Sequence, residues 1–473
     1  MGRLENRDDI NKELFEETVL CNFGILGSDK EAIVDGRKAI YDLYSETISG
    51  KMLNIYHCLW YQTNAQDRFQ TDWDSFFPAK IDEEFLQYIK DQGDQVQFFE
   101  FNTIFNRKYP GDLKKYPIGD WAMKSIYNDR TLFTSSAGYF EYWYMCPTQE
   151  AWLEYALEKD RELLETYGLD GLYHDVGTAA ATPPQCYNKD HAHGTFCNMI
   201  EYFVEQERQA YELAKEYGVY SVGQELIYEQ LLPYVEYYQS RGNGDLLGSM
   251  ESDDFREVIA SNEAVKVPLF DYVYHAYGGL RIDGFVMPYE EMGDGYYYVM
   301  AFNMLNGGIP EHNFEYYTKD KYYDVDMIYM PYLEYAETLG LARTTYGKEF
   351  LVYGDMRKAP IVSLETVTYP YVSDRVVDRV QASEGTLTVE RVISTAFEHD
   401  GKIAIFLANI AEEDMTVNFI LEAARMYGID EAEVQIYDSE KDTYTKLTDI
   451  KDGTAKCSVE LPSREVVMLV INK

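Results

Sequence analysis

The sequence predicts an α/β fold, a (β/α)₈ TIM-type barrel followed by a C-terminal antiparallel β-sandwich. Short apolar runs alternate with helical stretches over residues 51–355, which is typical of βα units and a parallel sheet. This region has about 300 residues, near the usual size of a (β/α)₈ barrel. No GxGxxG or GxxxxGK[ST] sequence follows a predicted strand, so nucleotide-binding open sheets lack support and no cofactor is expected.

Strand candidates occur along the whole barrel region. The clearest are MLNIYHCLWY (52–61), QVQFFEFN (95–102), LDGLYHDVG (169–177) and VYSVGQE (219–225). Further candidates are EYWYMCP (141–147), LFDYVYHAYG (269–278), YVMAFNMLNGG (298–308) and KEFLVYGD (348–355). Amphipathic helices are expected between several of them, since TQEAWLEYALEKDRELLETYG (148–168) has a Thr cap and a terminal Gly.

These patterns divide the chain into three segments. Residues 1–50 are predicted as an N-terminal helical segment, because DKEAIVDGRKAIYDLYSETI has apolar residues at helical spacing. Residues 51–355 are predicted as the catalytic barrel. Residues 356–473 contain short β-like runs separated by turns, such as KIAIFLANI and EVVMLVINK, which predicts the sandwich. No low-complexity linker is seen, so we expect the sandwich to pack directly on the barrel.

Charge and hydropathy exclude several partners. The formal net charge is −40, which would repel nucleic-acid phosphates and anionic membranes. No run of about 18 apolar residues predicts a transmembrane helix. The N-terminal stretch MGRLENRDDINKELFEE is polar and lacks the apolar region of a signal peptide. We therefore expect a cytoplasmic protein, or a secreted one if a leader has been removed.

The cysteine and tyrosine content bears on whether the chain has a zinc site, disulfides or a sugar-binding cleft. Six cysteines are scattered without a CxxC pair, so neither a structural zinc site nor a disulfide framework is expected, and reduced thiols are predicted. The 44 tyrosines are the unusual feature, since Tyr joins an apolar ring to a polar hydroxyl and suits both core edges and sugar-binding clefts. Most of them are expected in packing.

The candidate catalytic residues are a pair of carboxylates. In barrels of this kind the active residues lie at the C-terminal ends of the strands, and two consecutive predicted strands end in Asp175 and Glu225. Cleavage of a glycosidic bond requires one carboxyl group to protonate the leaving oxygen and another to attack the anomeric carbon or to activate water. Either residue alone could instead cap the following helix, so the prediction depends on their joint placement.

The loop after Asp175 carries a second constellation, CYNKDHAHG (186–194). His191 and His193 could share a metal, with Asp190 or Asp175 as a further ligand. They could equally donate hydrogen bonds to sugar hydroxyls or support the loop. Sugar contact is the preferred interpretation, and no metal is predicted.

Further candidates for substrate contact lie in or next to predicted strand ends. An aromatic side chain at such a position could stack on a sugar face. These candidates are His57, Trp60, Tyr61, Cys146, His174, Tyr274, His275 and Asn306.

The order YMCP, amphipathic helix, GLDGLYHDVG, CYNKDHAHG and VGQE resembles a family of uncharacterised bacterial glycoside-hydrolase-like proteins. The resemblance extends from about residue 140 to the end of the chain and includes HDGKIAIFLANIAEE in the predicted sandwich. More distantly, the layout is similar to the endo-α-N-acetylgalactosaminidase and α-amylase groups. The resemblance implies that an Asp ending barrel strand four, here Asp175, is the nucleophile. It also implies that a Glu ending strand five, here Glu225, is the acid/base.

The leading hypothesis is a retaining glycosidase that acts on an oligosaccharide or glycoside. One alternative is a metal-dependent hydrolase that uses His191, His193 and Asp175. Another is a non-catalytic carbohydrate-binding protein on a barrel scaffold, because a fold does not imply activity.

Overall fold

The structure of the chain is a computed structural model. It describes residues 2–25, 31–56, 82–107, 113–133, 142–175, 184–194, 197–219, 221–225, 227–239, 268–314, 324–373, 383–439 and 441–473.

Eight parallel strands close into a barrel, and they follow one another around it in chain order. This confirms the predicted fold class. The barrel strands are β1 Thr18–Phe23, β2 Lys51–Tyr56, β3 Gln95–Glu100, β7 Gly171–His174, β8 Val222–Gln224, β9 Tyr237–Gln239, β10 Leu280–Val286 and β11 Ile309–Asn313.

A small antiparallel sheet lies in the connection between β3 and β7. Its strands are β4 Ile104–Asn106, β5 Leu132–Phe133 and β6 Tyr142–Tyr144, with β6 in the centre. The predicted range 141–147 therefore contains a strand, β6, but this strand belongs to the small sheet and not to the barrel.

Helices surround the barrel, and several begin at side-chain caps. Asn11, Asp82 and Asn198 each accept a hydrogen bond from a backbone N–H in the first turn of the helix that follows. The helices of this part of the chain are α1 Lys12–Glu17, α2 Glu31–Thr47, α3 Glu83–Asp91, α4 Ile118–Trp121, α5 Glu150–Tyr167, α6 Met199–Glu216, α7 Leu269–Tyr274, α8 Gly295–Leu305, α9 Met330–Leu341 and α10 Lys348–Leu351. A further helix, α11 Ala423–Tyr427, lies in the C-terminal part.

Antiparallel sheets form the C-terminal part, as predicted. A six-stranded sheet has the order β12-β15-β16-β21-β18-β19, and β13-β14 and β17-β20 form two pairs. The strands are β12 Asp355–Arg357, β13 Thr366–Ser373, β14 Ser383–Glu390, β15 Val392–His399, β16 Lys402–Asn409, β17 Met415–Leu421, β18 Ala432–Asp438, β19 Thr443–Ile450, β20 Ala455–Leu461 and β21 Val466–Asn472.

The central strands of the six-stranded sheet, β16 and β21, are buried on both faces. Ile405 and Leu469 pack on one face against residues of β17 and β20, such as Phe419. Phe406 and Met468 lie on the other face and belong to the same core cluster as the barrel helices. The sandwich therefore packs directly on the barrel.

Four sequence-based assignments differ from the structure. The first barrel strand, β1, lies inside the segment 1–50 that was predicted to be helical. The predicted strands 269–278, 298–308 and 348–355 are largely helical, since they contain α7, most of α8 and α10. Their apolar residues gave no clear period, which leaves a buried helix and a buried strand indistinguishable.

Candidate active site

Asp175 and Glu225 lie side by side at the carboxyl end of the barrel. Asp175 directly follows β7, the fourth barrel strand, and Glu225 directly follows β8, the fifth. His174 and Gln224 are paired in register, and the Glu225 backbone N–H donates to the His174 carbonyl at 3.3 Å. Since neighbouring strands are about 4.8 Å apart, the two residues that follow this pair stand at the same height.

Both residues are on the inward face of their strands. Tyr173 belongs to the cluster that fills the barrel, and Asp175 is two residues further along the same face. Gly223 is also inward, because a Cβ there would lie 2.0 Å from the Tyr237 ring, and Glu225 is two residues beyond it. Asp175 is 9% exposed and Glu225 is 8% exposed, so the pair is largely shielded from water.

Aromatic rings close the barrel beneath this pair. Tyr173 stacks with Phe99 and with Tyr237 at ring-centroid distances of 5.8 and 6.0 Å. Phe23 makes T-shaped contacts with Phe99 and Tyr173, at ring-centroid distances of 6.0 and 5.7 Å. Because these rings fill the interior, a ligand can reach the carboxylates only from the mouth.

Tyr144, in β6, is a site residue that the sequence analysis missed. Burial, with a smaller contribution from the charge of Glu225, raises the pKa of the Tyr144 hydroxyl, so this ring lies close to the carboxylate.

His174 does not reach the mouth, which corrects its prediction as a substrate contact. It is fully buried and faces the helix layer outside the barrel. Its Nδ1 lies 2.9 Å from Glu207 Oε2 on α6, and its Nε2 lies 3.5 Å from Glu100 Oε1. Since Asp175 faces inward, the preceding residue must face outward.

Three carboxyl groups surround His174 in this buried layer, from Glu100, Asp160 and Glu207. Burial raises the pKa of Glu100, and burial together with the Glu100 charge raises that of Asp160. Burial alone would lower the pKa of His174, but Glu207 and Glu100 outweigh it and raise that pKa well above its usual value. Burial would raise the pKa of Glu207, but His174 lowers it. Each raised pKa favours a bound proton, which lessens the negative charge of this cluster.

The loop that carries His191 and His193 contributes to a group of possible metal-ligand atoms that the sequence analysis did not predict. Among the described residues, possible ligand atoms of His191 and His193 lie within 4.8 Å of those of Cys146 and Cys186. Neither Asp175 nor Asp190 belongs to that group, so the structure does not bring together the co-ligands considered in the metal-dependent alternative. Asp190 is exposed, and its backbone N–H donates to the Asn188 side chain.

Cys146 was expected to contact substrate, but its position excludes that role. It follows β6 and is fully buried among Met123, Cys186, Met199 and Phe203. A ligand in the mouth therefore cannot touch its thiol.

The other candidates on misassigned strands lie away from the mouth. Tyr274 ends α7, and His275 follows it ahead of β10, with its ring nitrogens 2.8 and 2.9 Å from the Gly354 and Leu351 carbonyls. Asn306 ends α8 ahead of β11 and lines a groove beside residues 356–364. Positions that precede a parallel strand are at the opposite end of the barrel from its active-site loops, so the structure does not bring these three residues to the carboxylate pair. His57, Trp60 and Tyr61 lie outside the described residues.

The central part of the chain matches the model of a known family. Residues 45–281, half of the chain, match the family described as a domain of unknown function, DUF6259. The chain belongs to this family. A search of curated proteins finds no match.

The structure of this chain is similar to those of several glycoside hydrolases at low sequence identity. A noncanonic maltogenic alpha-amylase from Thermotoga neapolitana is 13% identical, with a TM-score of 0.56 over 98% of this chain and 100% of that one. An alpha-amylase from Geobacillus thermoleovorans, complexed with acarbose, is 8% identical, with a TM-score of 0.57 over 97% and 98%. A debranching enzyme from Nostoc punctiforme is 11% identical, with a TM-score of 0.55 over 97% and 99%.

These likenesses confirm the predicted resemblance to an amylase-type architecture. At such low identity they show the shared fold and not a shared activity. Within the described part of the chain, none of the helices is both long and apolar enough to span a membrane.

Proposed function

We propose that the protein is a retaining glycoside hydrolase in which Asp175 is the nucleophile and Glu225 is the general acid/base. The observation that carries this proposal is the placement of the two residues in register at the ends of barrel strands four and five. The shared fold with alpha-amylases and a debranching enzyme agrees with a carbohydrate substrate.

The proposed reaction has two steps. An Asp175 carboxylate oxygen attacks the anomeric carbon while the Glu225 carboxyl donates its proton to the leaving oxygen, which gives a glycosyl ester and a free alcohol. Glu225, now ionised, then takes a proton from water as that water attacks the same carbon. The ester bond breaks, Asp175 is again a carboxylate, and Glu225 is again protonated.

The surroundings of the pair support these roles. The aromatic floor under Asp175 excludes water from one side of the reacting groups, which strengthens electrostatic interactions in the site. Tyr144 stands beside Glu225 with a raised pKa, so its hydroxyl stays protonated and can donate a hydrogen bond to that carboxylate or to a sugar oxygen.

The first experiment is a hydrolysis screen on aryl α- and β-glycosides with the wild type, Asp175→Asn and Glu225→Gln. Loss of general acid catalysis typically lowers the rate by about 10²–10⁴-fold, and we expect each variant to lose at least that much on the glycoside that the wild type cleaves. Glu229→Gln is the matched control, since Glu229 is an exposed carboxylate four residues beyond Glu225. If both site variants keep the wild-type rate, the assignment of these residues is wrong.

The anomeric form of the first product tests the retaining stereochemistry separately. Retention goes with carboxyl groups about 5–5.5 Å apart, whereas inversion requires about 6.5–9.5 Å. Neighbouring strands about 4.8 Å apart favour the shorter separation. We therefore expect proton NMR, recorded early in the reaction, to show the same anomer as the substrate, and the opposite anomer would rule out the nucleophilic role of Asp175.

A further inference from the structure

Two loops on either side of the candidate active site meet at a group of sulfur and nitrogen atoms. Cys146 follows β6 in the connection between β3 and β7, whereas Cys186, His191 and His193 lie in the connection between β7 and β8. One possible ligand atom from each of the four side chains lies within 4.8 Å of the other three.

The two cysteines are buried thiols that are not joined to each other. The thiolate is the form of cysteine that binds metals. Cys186 Sγ lies 3.5 Å from His191 Nδ1.

His191 is oriented in the manner of a metal ligand. Its Nε2 lies 2.9 Å from the Asp120 carbonyl oxygen and 2.7 Å from Asn188 Nδ2. The carbonyl can only accept a hydrogen bond, so we assign the Nε2 proton to the Asp120 contact. Metal-binding histidines usually donate their second ring N–H to a carbonyl or carboxylate, which fixes the ring and leaves the other nitrogen free. In His191 that other nitrogen is Nδ1, which faces Cys186.

His193 supplies an independent observation. Its Nδ1 lies 2.9 Å from the Gly194 carbonyl, so the proton belongs on that nitrogen. Its Nε2 is buried and has no hydrogen-bond partner among the described residues. A buried imidazole nitrogen without a partner is costly, and a metal ion at this position would satisfy its lone pair.

We propose that Cys146, Cys186, His191 and His193 bind one zinc ion in a closed structural site. Two thiolates and two imidazoles are a common tetrahedral zinc set, and two thiolates neutralise the charge of the ion. Zn–S bonds of about 2.3 Å and Zn–N bonds of about 2.0–2.1 Å place tetrahedral ligand atoms about 3.3–3.8 Å apart. The separation of 3.5 Å between Cys186 and His191 fits this range.

Four protein ligands leave no open position for water or substrate, so the ion would have a structural role. It would join the connection that precedes β7 to the one that follows it, and Asp175 is the first residue after that strand. Tyr144 is two residues before Cys146, so the ion would also fix the ring that stands beside Glu225. The inference does not depend on the proposed glycosidase activity, because metal binding is measured directly.

The test is the zinc content of the full chain after purification without chelators, measured by inductively coupled plasma mass spectrometry. We expect about one zinc per wild-type chain and its loss in Cys186→Ser and in His193→Asn. Cys197→Ser is the matched control, since Cys197 contacts the same apolar cluster but is not among the four ligands. It should keep the zinc, as should Cys457→Ser, whose thiol lies in the sandwich.

Cobalt substitution of the wild-type chain keeps the test decisive if a variant fails to fold. Co²⁺ bound by thiolates gives an intense charge-transfer band in the near ultraviolet, and tetrahedral Co²⁺ gives strong visible bands. We expect both after exchange. A wild-type chain that retains neither zinc nor cobalt, or a thiol titration that finds Cys146 and Cys186 joined in a disulfide, overturns the proposal. Unchanged zinc in Cys186→Ser and His193→Asn overturns it as well.

Discussion

Gly223 is a residue whose small size determines the geometry of the candidate site. It lies in β8, two residues before Glu225, and the Tyr237 ring occupies the space where a side chain would be. Tyr237 is fully buried, and its hydroxyl donates to the Gln97 side chain, so this ring cannot move aside without breaking a buried hydrogen bond.

We therefore expect Gly223→Ala to destabilise the fold and to displace Glu225. An added Cβ would lie 2.4 Å from the Tyr237 hydroxyl oxygen, and overpacking of this kind typically costs about 1–3 kcal/mol. Urea denaturation followed by circular dichroism measures the change in unfolding free energy. Gly194→Ala is the control, because nothing lies within 4 Å of a Cβ there, and equal stability of the two variants would contradict the argument.

At this scale the sequence predicted the carboxylate pair but not its neighbours. Asp175 and Glu225 could be chosen because each ends an apolar run, and that rule is local. The same alternation excludes His174 from the mouth once Asp175 is taken as inward, so this error was avoidable. Tyr144 and Cys186 could not be placed, since the connections after β3 and β7 are long and their contacts depend on tertiary folding.

The layer between β7 and the helices α5 and α6 is an element-scale feature with a pH dependence. Glu100, Asp160 and His174 all have raised pKa values, so the folded chain holds protons there that the unfolded chain releases. The free energy of unfolding therefore falls as the pH rises above the ordinary values of about 4 for the carboxyls and about 6.5 for His174. Glu207 has a lowered pKa, and its contribution is lost only as the pH falls below about 4.

Glu100→Gln tests this linkage. The amide of the substituted side chain cannot ionise. Because the substitution removes a negative charge, it also lessens the upward pKa shifts of Asp160 and His174. We expect the variant to lose less stability than the wild type between about pH 5 and pH 8, as measured by urea midpoints across that range. Glu154→Gln, an exposed position on α5, should follow the wild-type curve. Parallel curves for Glu100→Gln and the wild type would refute the linkage.

The barrel strands differ in how far the sequence predicted them. Strands β2, β3, β7 and β8 are apolar runs next to clear helices, and their positions were predicted. β9 has only three residues, which is too short for a period to show. Almost every residue of α8 is buried, so its sequence has no polar face that would mark it as a helix.

Across the whole molecule, barrel and sandwich share one apolar core. Phe397, Phe406 and Met468 of the six-stranded sheet belong to the cluster that contains the barrel helices. The N-terminus adds polar contacts to the same sheet, since Arg3 pairs with Asp355 at 2.9 Å and Glu5 contacts His399 at 2.7 Å. We infer that the two parts unfold together.

Tryptophan fluorescence can test this coupling, because all five tryptophans precede residue 153 and none lies in the sequence of the sandwich. The three in the described residues, Trp121, Trp143 and Trp152, lie in α4, β6 and α5. Phe406→Ala removes a fully buried ring from the sandwich side of the shared core, which typically costs about 3–5 kcal/mol. We expect the midpoint followed by fluorescence to fall together with the one followed by circular dichroism. Leu364→Ala, at a side chain that is 89% exposed, should leave both unchanged. A fluorescence midpoint unaffected by Phe406→Ala would show that the barrel folds independently.

The burial of α8 on all sides has a consequence for how such chains can diverge. This helix packs against the barrel strands β10 and β11 and against β15 of the sandwich. Substitutions on the sheet must therefore be matched by substitutions on α8, and those in turn by changes in the barrel wall. A recombination event that exchanged only the last hundred or so residues would pair a sheet from one parent with an α8 from another. The two packed surfaces would then not have been selected to fit each other. The unit of inheritance at this end of the chain should begin at α8, well ahead of the point where the sheets begin.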